Sequence, residues 1–394
     1  MLTYEEARNI VAENVIPVSS EKISLSESAG RVSAQDITAK INVPSFDRSP
    51  YDGFAFMAGD VPGKLRITQE IRAGDPPQMP LKHGESAKIL TGAMIPEGAD
   101  AVTKYEDTEF TDSEVTISRK FAGGENIIRA GEDVKAGNVI VRNGEIIDAG
   151  RAGLIASQGI AEIIAYRKPV IGIISTGNEI ADIHSPLTDG KIYNTSRYTF
   201  ETALTLAGFI PDFIGVACDD ENEIARIMSE ALSSCDVIIV TGGVSAGDYD
   251  RMPEALKILR AEILVRDVEL KPGGKCIYAV KNGRLICCLS GNPASALTNY
   301  YAVALPALKK LSGLKDFMPV EIDIALADSF GKKSPITRII RGTLKFADGK
   351  IFMRVPSEQG NGILRTMSGC NVMAVIPAGS GQIQAGEKLK GFLI

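Results

Sequence analysis

Tryptophan is absent from the 394 residues, histidine occurs twice, and no two of the six cysteines stand in CxxC spacing. His83 and His184 lie in polar, turn-rich stretches, which supplies poorly either an imidazole-ligated zinc site or a Ser-His-Asp triad and leaves His184 open only as a single acid or base. Cys218, Cys235, Cys276, Cys287, Cys288 and Cys370 fall largely within apolar runs, the pattern of buried free thiols in a reducing compartment. A basic excess is also missing: 43 Lys and Arg against 49 Asp and Glu give a net charge of −6. That excludes a general nucleic-acid binder and leaves room for a local basic pocket. No stretch approaches the roughly 18 apolar residues of a membrane span. Met1–Glu6 offers neither a basic n-region nor an apolar h-region, so the expected location is the cytoplasm, without a membrane partner. Neither low-complexity segments nor solenoid repeats occur.

What remains is an ordinary globular composition, 44% apolar and 23% charged, with 39 glycines and 19 prolines to serve many turns. The length predicts two to four domains. Thr3 and Glu6 stand in capping-box spacing ahead of a helix over residues 3–14. The stretch 42–53, NVPSFDRSPYDG, is a shaped loop fixed by two prolines and a closing glycine. Between 55 and 130 short β-rich runs alternate with Gly, Pro and Asp turns, and Thr91-Gly92-Ala93 follows one of those strands directly. Asn143-Gly144 is a hairpin signal, followed by a helix over 149–157. From Lys168 the pattern becomes β–α alternation, which predicts a doubly wound α/β domain ending in a long helix over 293–311. Residues 316–394 return to strands and turns.

In doubly wound sheets, ligands collect outside the carboxyl ends of the strands. Here those ends carry Ser175-Thr176-Gly177-Asn178-Glu179, Asp219-Asp220, Thr241 to Asp250, and Leu289-Ser290-Gly291-Asn292-Pro293. Gly242 and Gly243 let backbone N–H groups approach a ligand, and Ser245, Asp248 and Asp250 follow at once. Asn292-Pro293 heads the long helix, whose N–H groups and neighbouring Ser295 suit an anion. Lys271-Pro272-Gly273-Gly274-Lys275 adds two cations and a flexible backbone, without Walker A spacing, and no GxGxxG follows a strand. Glu179, Asp219 and Asp250 together suit Mg²⁺ beside phosphate; Mg²⁺ takes only one or two carboxylates, which favours Asp250 first and Asp219 second.

Several of these loops together resemble the molybdopterin molybdenumtransferase family, the MoeA proteins and the E domain of gephyrin. The matching stretches are PSFDRSPYDGFA at 44–55, ILTGAMIPEGADAV at 89–102, GENI and AGED within 124–133, STGNE at 175–179, TGGVSAGDYD at 241–250, KPGGK at 271–275 and SGNPASA at 290–296. The resemblance implies a multidomain α/β plus β fold of four domains per subunit. These are an elongated N-terminal domain from 1–43 and 131–167, an inserted β domain at 44–130, a molybdopterin-binding α/β domain at 168–315, similar to the molybdopterin adenylyltransferases, and a barrel-like C-terminal domain at 316–394. It implies a homodimer, a transferase reaction in molybdenum cofactor biosynthesis that takes molybdate and adenylylated molybdopterin and releases AMP, and Mg²⁺. Transfer partners among other cofactor-biosynthesis proteins follow from the same likeness. Carried over by position, the functional residues are Asp52, Thr91, Glu179, Asp219, Asp250 and Lys271. Thr176, Gly177, Gly242, Gly243, Ser245, Lys275, Gly291, Asn292, Pro293 and Ser295 line the substrate. The chain departs from the family's usual residues at Ile128, Asp267, Ser290 and Ile336, with Arg129, Arg338 and Arg341 as candidate replacements for lost positive charge. Two other readings stay open: a pterin-binding paralogue without turnover, and an adenylyltransferase.

Overall fold

The run Val170–Thr176 has no polar/apolar alternation because both of its faces are covered. Ile171 and Ile173 enter one core with Val237 and Ile239, while Ile174 enters a second core with Ile238 and Val240. A computed structural model describes residues 1–244, 251–347 and 349–394. At its centre is a six-stranded sheet, labelled here β1 (Val170–Thr176), β2 (Ile210–Ala217), β3 (Val237–Thr241), β4 (Glu262–Arg266), β5 (Cys276–Lys281) and β6 (Arg284–Leu289). The order is β2-β1-β3-β6-β5-β4. Four strands are parallel, with the reversal of winding at β1.

The doubly wound expectation holds for these four and needs amendment at one edge, where β5 and β4 run antiparallel. The cause is local. Asn282 and Gly283 both take positive φ, 51° and 75°, and Lys281 pairs with Arg284, so a two-residue turn of the twist-matching kind joins β5 to β6. Two reversals return β4 to the direction of β6, which brings the 267–275 loop to the same end of the sheet as the parallel strands' carboxyl termini.

Helices cover both faces. Glu221–Ser234 and Met252–Leu259 supply Ile224, Met228, Met252 and Leu256 to one core. Thr195–Leu206 and the 293–311 helix cover the other with Phe200, Leu204, Tyr300 and Leu308. The long helix is interrupted at Tyr300–Ala304 by a π turn. The helix Tyr4–Glu13 begins with the expected reciprocal cap, Glu6 N–H to Thr3 Oγ1 at 3.1 Å and Thr3 N–H to Glu6 Oε2 at 2.9 Å. Its Tyr4, Ala7 and Val11 join the same core as Val265 and Leu308, so this helix packs on the α/β unit rather than on residues 20–43.

Residues 20–24 pair instead with 162–166, and 37–38 with 139–141. Asn143-Gly144 turns the chain but closes no hairpin: the strand before it pairs with Ile37–Thr38, and Ile146 bridges Val32. A separate six-stranded sheet is built from strands between Gly53 and Ile117. The C-terminal strands Glu321–Leu326, Arg338–Ala347, Lys350–Arg354, Val372–Ile376 and Lys388–Leu393 close a barrel around Ile324, Ile340, Met353 and Ala374. All six cysteines are free thiols, and no helix among the described residues is long and apolar enough to cross a membrane.

Candidate functional site

The carboxyl ends of β1, β3 and β6 open into a cavity of about 770 Å³. Its floor is set by one close approach. Thr176 Oγ1 donates to the carbonyl of Thr241 at 3.2 Å, and Gly242 takes φ +102° against it. A Cβ on Gly242 would stand 2.5 Å from Thr176 Oγ1 and 2.7 Å from the Thr176 carbonyl oxygen. Only glycine lets the two strand ends close here. Beneath, buried Ser175 donates to Asn194 Oδ1 at 3.1 Å, and the same oxygen caps the Thr195 helix by accepting Arg197 N–H at 3.0 Å.

On one rim, the N–H of Asn178 donates to Asp219 Oδ2 at 3.2 Å and the N–H of Asp219 to Asn178 Oδ1 at 3.4 Å. The Lys191 ammonium donates to the Asn178 carbonyl. These contacts tie the STGNE loop to the end of β2 and turn Glu179 and Asp219 into the same cavity. No group of three or more potential metal ligands stands together among the described residues. Glu179 and Asp219 are the carboxylates on this rim among the described residues.

The opposite wall is the 267–275 loop. Gly273, at φ +92°, lies against the 293–311 helix so closely that a Cβ would sit 2.8 Å from the Ser295 carbonyl oxygen. Asn299, 1% exposed, fastens the loop: its Nδ2 donates to the Gly273 carbonyl at 2.6 Å, and its Oδ1 accepts from the Tyr278 hydroxyl. Lys271 is shared with the barrel, its N–H donating to Thr337 O at 2.9 Å and its carbonyl accepting Ile339 N–H at 3.0 Å. Lys275 is neutralised, with Nζ 2.6 Å from Asp267 Oδ2.

At the helix end, Asn292 occupies the N-cap position without a side-chain cap hydrogen bond, which leaves the first-turn N–H groups facing the cavity. Ser290 Oγ accepts the N–H of Asn292 at 3.2 Å. Gly291 and Pro293 line the cavity beside it. Ser295 lines it too, but its hydroxyl donates to the carbonyl of Asn361 at 3.2 Å. Asn361 and Ile336 reach the cavity from the barrel. Asn361 carried no sequence signal, because only the barrel's docking brings it there.

Of the residues expected from the sequence, the cavity walls thus unite Thr176, Gly177, Glu179, Asp219, Gly242, Gly243, Lys271, Lys275, Gly291, Asn292, Pro293 and Ser295. Ser245 and Asp250 lie outside the described residues. Asp52 and Thr91 are brought together elsewhere, on the 53–117 sheet. Asp52 Oδ1 accepts the N–H of Thr91 at 2.7 Å and its hydroxyl at 2.8 Å. The backbone bond and then the hydroxyl hold this exposed carboxylate below its ordinary pKa of 3.8. Neither residue belongs to the cavity wall of its own chain. The candidate replacement arginines are not on the wall either. Arg129 pairs with Asp47 at 2.6 Å. Arg338 donates to Ser334 Oγ at 2.9 Å. Arg341, fully buried, donates to Gly360 O at 3.2 Å while its Nε and Nη1 find no partner.

Three family models cover the chain: the MoeA N-terminal region (domain I and II) over residues 2–159, the probable molybdopterin binding domain over 172–310, and the MoeA C-terminal region (domain IV) over 323–391. A curated molybdopterin molybdenumtransferase of Staphylococcus aureus (strain Mu50 / ATCC 700699) is 33% identical over 375 residues, 93% of this chain and 89% of that one. The chain belongs to the molybdopterin molybdenumtransferase family. A Staphylococcus epidermidis relative of the same name is 31% identical over 98% of this chain and 94% of its own. Among solved structures, the molybdopterin biosynthesis moeA protein from Pyrococcus horikoshii OT3 superposes with a TM-score of 0.86, at 28% identity and full coverage of both chains. As a member of this family the protein is a transferase of molybdenum cofactor biosynthesis.

Proposed function

We propose that the crevice binds adenylylated molybdopterin and molybdate, releases AMP, and leaves molybdenum on the pterin dithiolene. One observation carries this reading: glycine-built strand ends, an uncapped helix N-terminus and Lys271 face one cavity of about 770 Å³. Backbone N–H groups and a lysine are a donor set for phosphate and oxyanion, and the volume suits a ligand with both a pterin and a nucleotide. In this reading Thr176, Gly242 and Gly243 hold the adenylyl phosphate, Ser245 assists, and Lys271 faces the oxyanion. Mg²⁺ held by Asp219 and Asp250 would neutralise phosphate charge, with Glu179 orienting the ligand. The protein acts in the cytoplasm as a homodimer of four-domain subunits, in which the partner subunit brings Asp52 and Thr91 to the crevice.

The test is incubation of the protein with adenylylated molybdopterin, molybdate and Mg²⁺, with AMP measured. Stoichiometric AMP release is expected, and its absence despite tight pterin binding would overturn the reading. A second reading, pterin binding without turnover, draws support from the Asp267–Lys275 pair and from Ile336 on the cavity wall, which both lower the positive charge available to an oxyanion. That reading predicts the second outcome.

A further inference from the structure

A second cavity, of about 480 Å³, shares no wall residue with the crevice. It lies where the 144–151 segment, the 293–311 helix, the connection into the barrel and the chain's last residues meet. Its volume falls within the roughly 300–1,000 Å³ of small-molecule sites, and junctions between folding units are a favoured place for them. Leu305, Pro306, Phe317, Met318 and Val320 make most of the wall apolar. The polar side chains on its wall are Glu145, Arg151, Tyr301, Lys309 and Asp316.

The junction is preformed. Lys315 N–H donates to the Gly144 carbonyl at 3.0 Å, and a Cβ on Gly144 would meet Lys315 Cβ at 2.8 Å, so the Asn143-Gly144 turn is the piece that seats the connection. Tyr301 belongs to the π turn, and such turns recur at functional sites because they break a helix's regular register.

The charges at this junction are unevenly satisfied. Arg151 is engaged by Asp148 at 2.7 Å and Glu145 at 3.3 Å, and Lys310 donates to Ala12 O at 2.8 Å. Asp316 is exposed at the mouth. Lys309 is half-buried, and burial alone lowers its pKa, with no carboxylate contributing. An ammonium group removed from water without a counter-ion is costly, and an anion entering the cavity would offset that cost.

We propose that this junction cavity binds a small amphipathic monoanion, an organic acid with an aromatic or alkyl body, its acid group on Lys309 and its body against Leu305, Phe317 and Met318. With Arg151 spent on Glu145 and Asp148, Lys309 is the wall cation left without an ion pair among the described residues, which suits one negative charge, and the half-open volume suits a small molecule rather than a macromolecule. Bound there, the ligand would tie the 312–320 connection to the N-terminal segment.

The test uses calorimetric titration of the full chain with naphthalene-1-sulfonate and with neutral naphthalene-1-methanol. One sulfonate per chain is expected. Lys309→Gln should weaken sulfonate binding at least tenfold and leave the alcohol unchanged, while Lys309→Arg retains both. Met318→Arg, at an exposed wall position, should block both probes without touching a core, and AMP release should be unaffected in all three variants. Absence of saturable sulfonate binding overturns the proposal, including the case in which light scattering shows a second copy of the chain covering the cavity. So does equal sulfonate affinity in Lys309→Gln, or undiminished binding in Met318→Arg.

Discussion

Asn299 fastens the 267–275 wall of the crevice, and replacing it gives a quantitative check on that wall. Asn299→Leu keeps the volume and removes both hydrogen bonds, stranding the Gly273 carbonyl and the Tyr278 hydroxyl in a region where Asn299 is 1% exposed and Tyr278 fully buried. Each stranded buried polar group costs about 1–3 kcal/mol, so the loss should be about 2–6 kcal/mol. For a unit of this size that lowers the melting temperature by roughly 4–24 °C. Tyr278→Phe strands only Asn299 Oδ1 and should cost about 1–3 kcal/mol. The double variant separates this account from simple loss of packing. With the hydroxyl gone, only the Gly273 carbonyl is left unpaired, so Tyr278→Phe with Asn299→Leu should be about 1 kcal/mol more stable than Asn299→Leu alone. Scanning calorimetry is the suitable assay, because the chain has no tryptophan to report unfolding by fluorescence. Strictly additive losses in the double variant, or an Asn299→Leu protein within 0.5 kcal/mol of wild type (about the noise of additivity), would refute the argument.

Asp267→Asn should release Lys275 while keeping the fold, since residue 267 takes φ 58° and asparagine accepts that conformation; inorganic phosphate should bind roughly two- to fivefold tighter at low salt, the gain vanishing in about 0.5 M salt. Thr91→Val removes the hydroxyl bond from Asp52 and should raise that carboxyl's midpoint toward 3.8, followed by carbon NMR. The sign is that of a depressed acid: the Asp52–Thr91 contact contributes fully above pH 3.8 and is lost as pH falls through the lower folded value, so neutral-pH stability should be flat. Gly242→Ala combines positive φ with a Cβ 2.7 Å from a backbone oxygen and should cost at least about 2 kcal/mol. Gly291→Ala, whose Cβ would meet only ordinary contact at 3.5 Å, should cost under about 1 kcal/mol; equal melting points for the two would contradict the close-approach account.

The sequence made the β–α alternation legible because hydrophobic periodicity and capping residues are local, and the capping box of Thr3 and Glu6 ahead of Tyr4–Glu13 forms as read. Asn-Gly pairs show where such local reading stops. Asn282-Gly283 closes a hairpin and Asn143-Gly144 does not, and the difference lies in the strands each flanks, which pair with distant residues in the second case. The site was legible where a strand's carboxyl end dictates it, from Thr176 to Pro293. It was not legible where side chains spend their hydrogen bonds on partners far away in the chain. Ser295 is committed to Asn361 and Arg129 to Asp47, and the spacing of residues carries no trace of those engagements.

Lys271 gives both of its main-chain groups to a barrel strand, although it sits in the sequence among the residues of the α/β unit. The seam between two folding modules therefore runs through a residue of the crevice rather than around it. An α/β unit excised at its natural-looking border would retain every strand of its sheet, yet Lys271 would lose both main-chain hydrogen bonds to the barrel, so modularity of fold and modularity of chemistry part company in this chain.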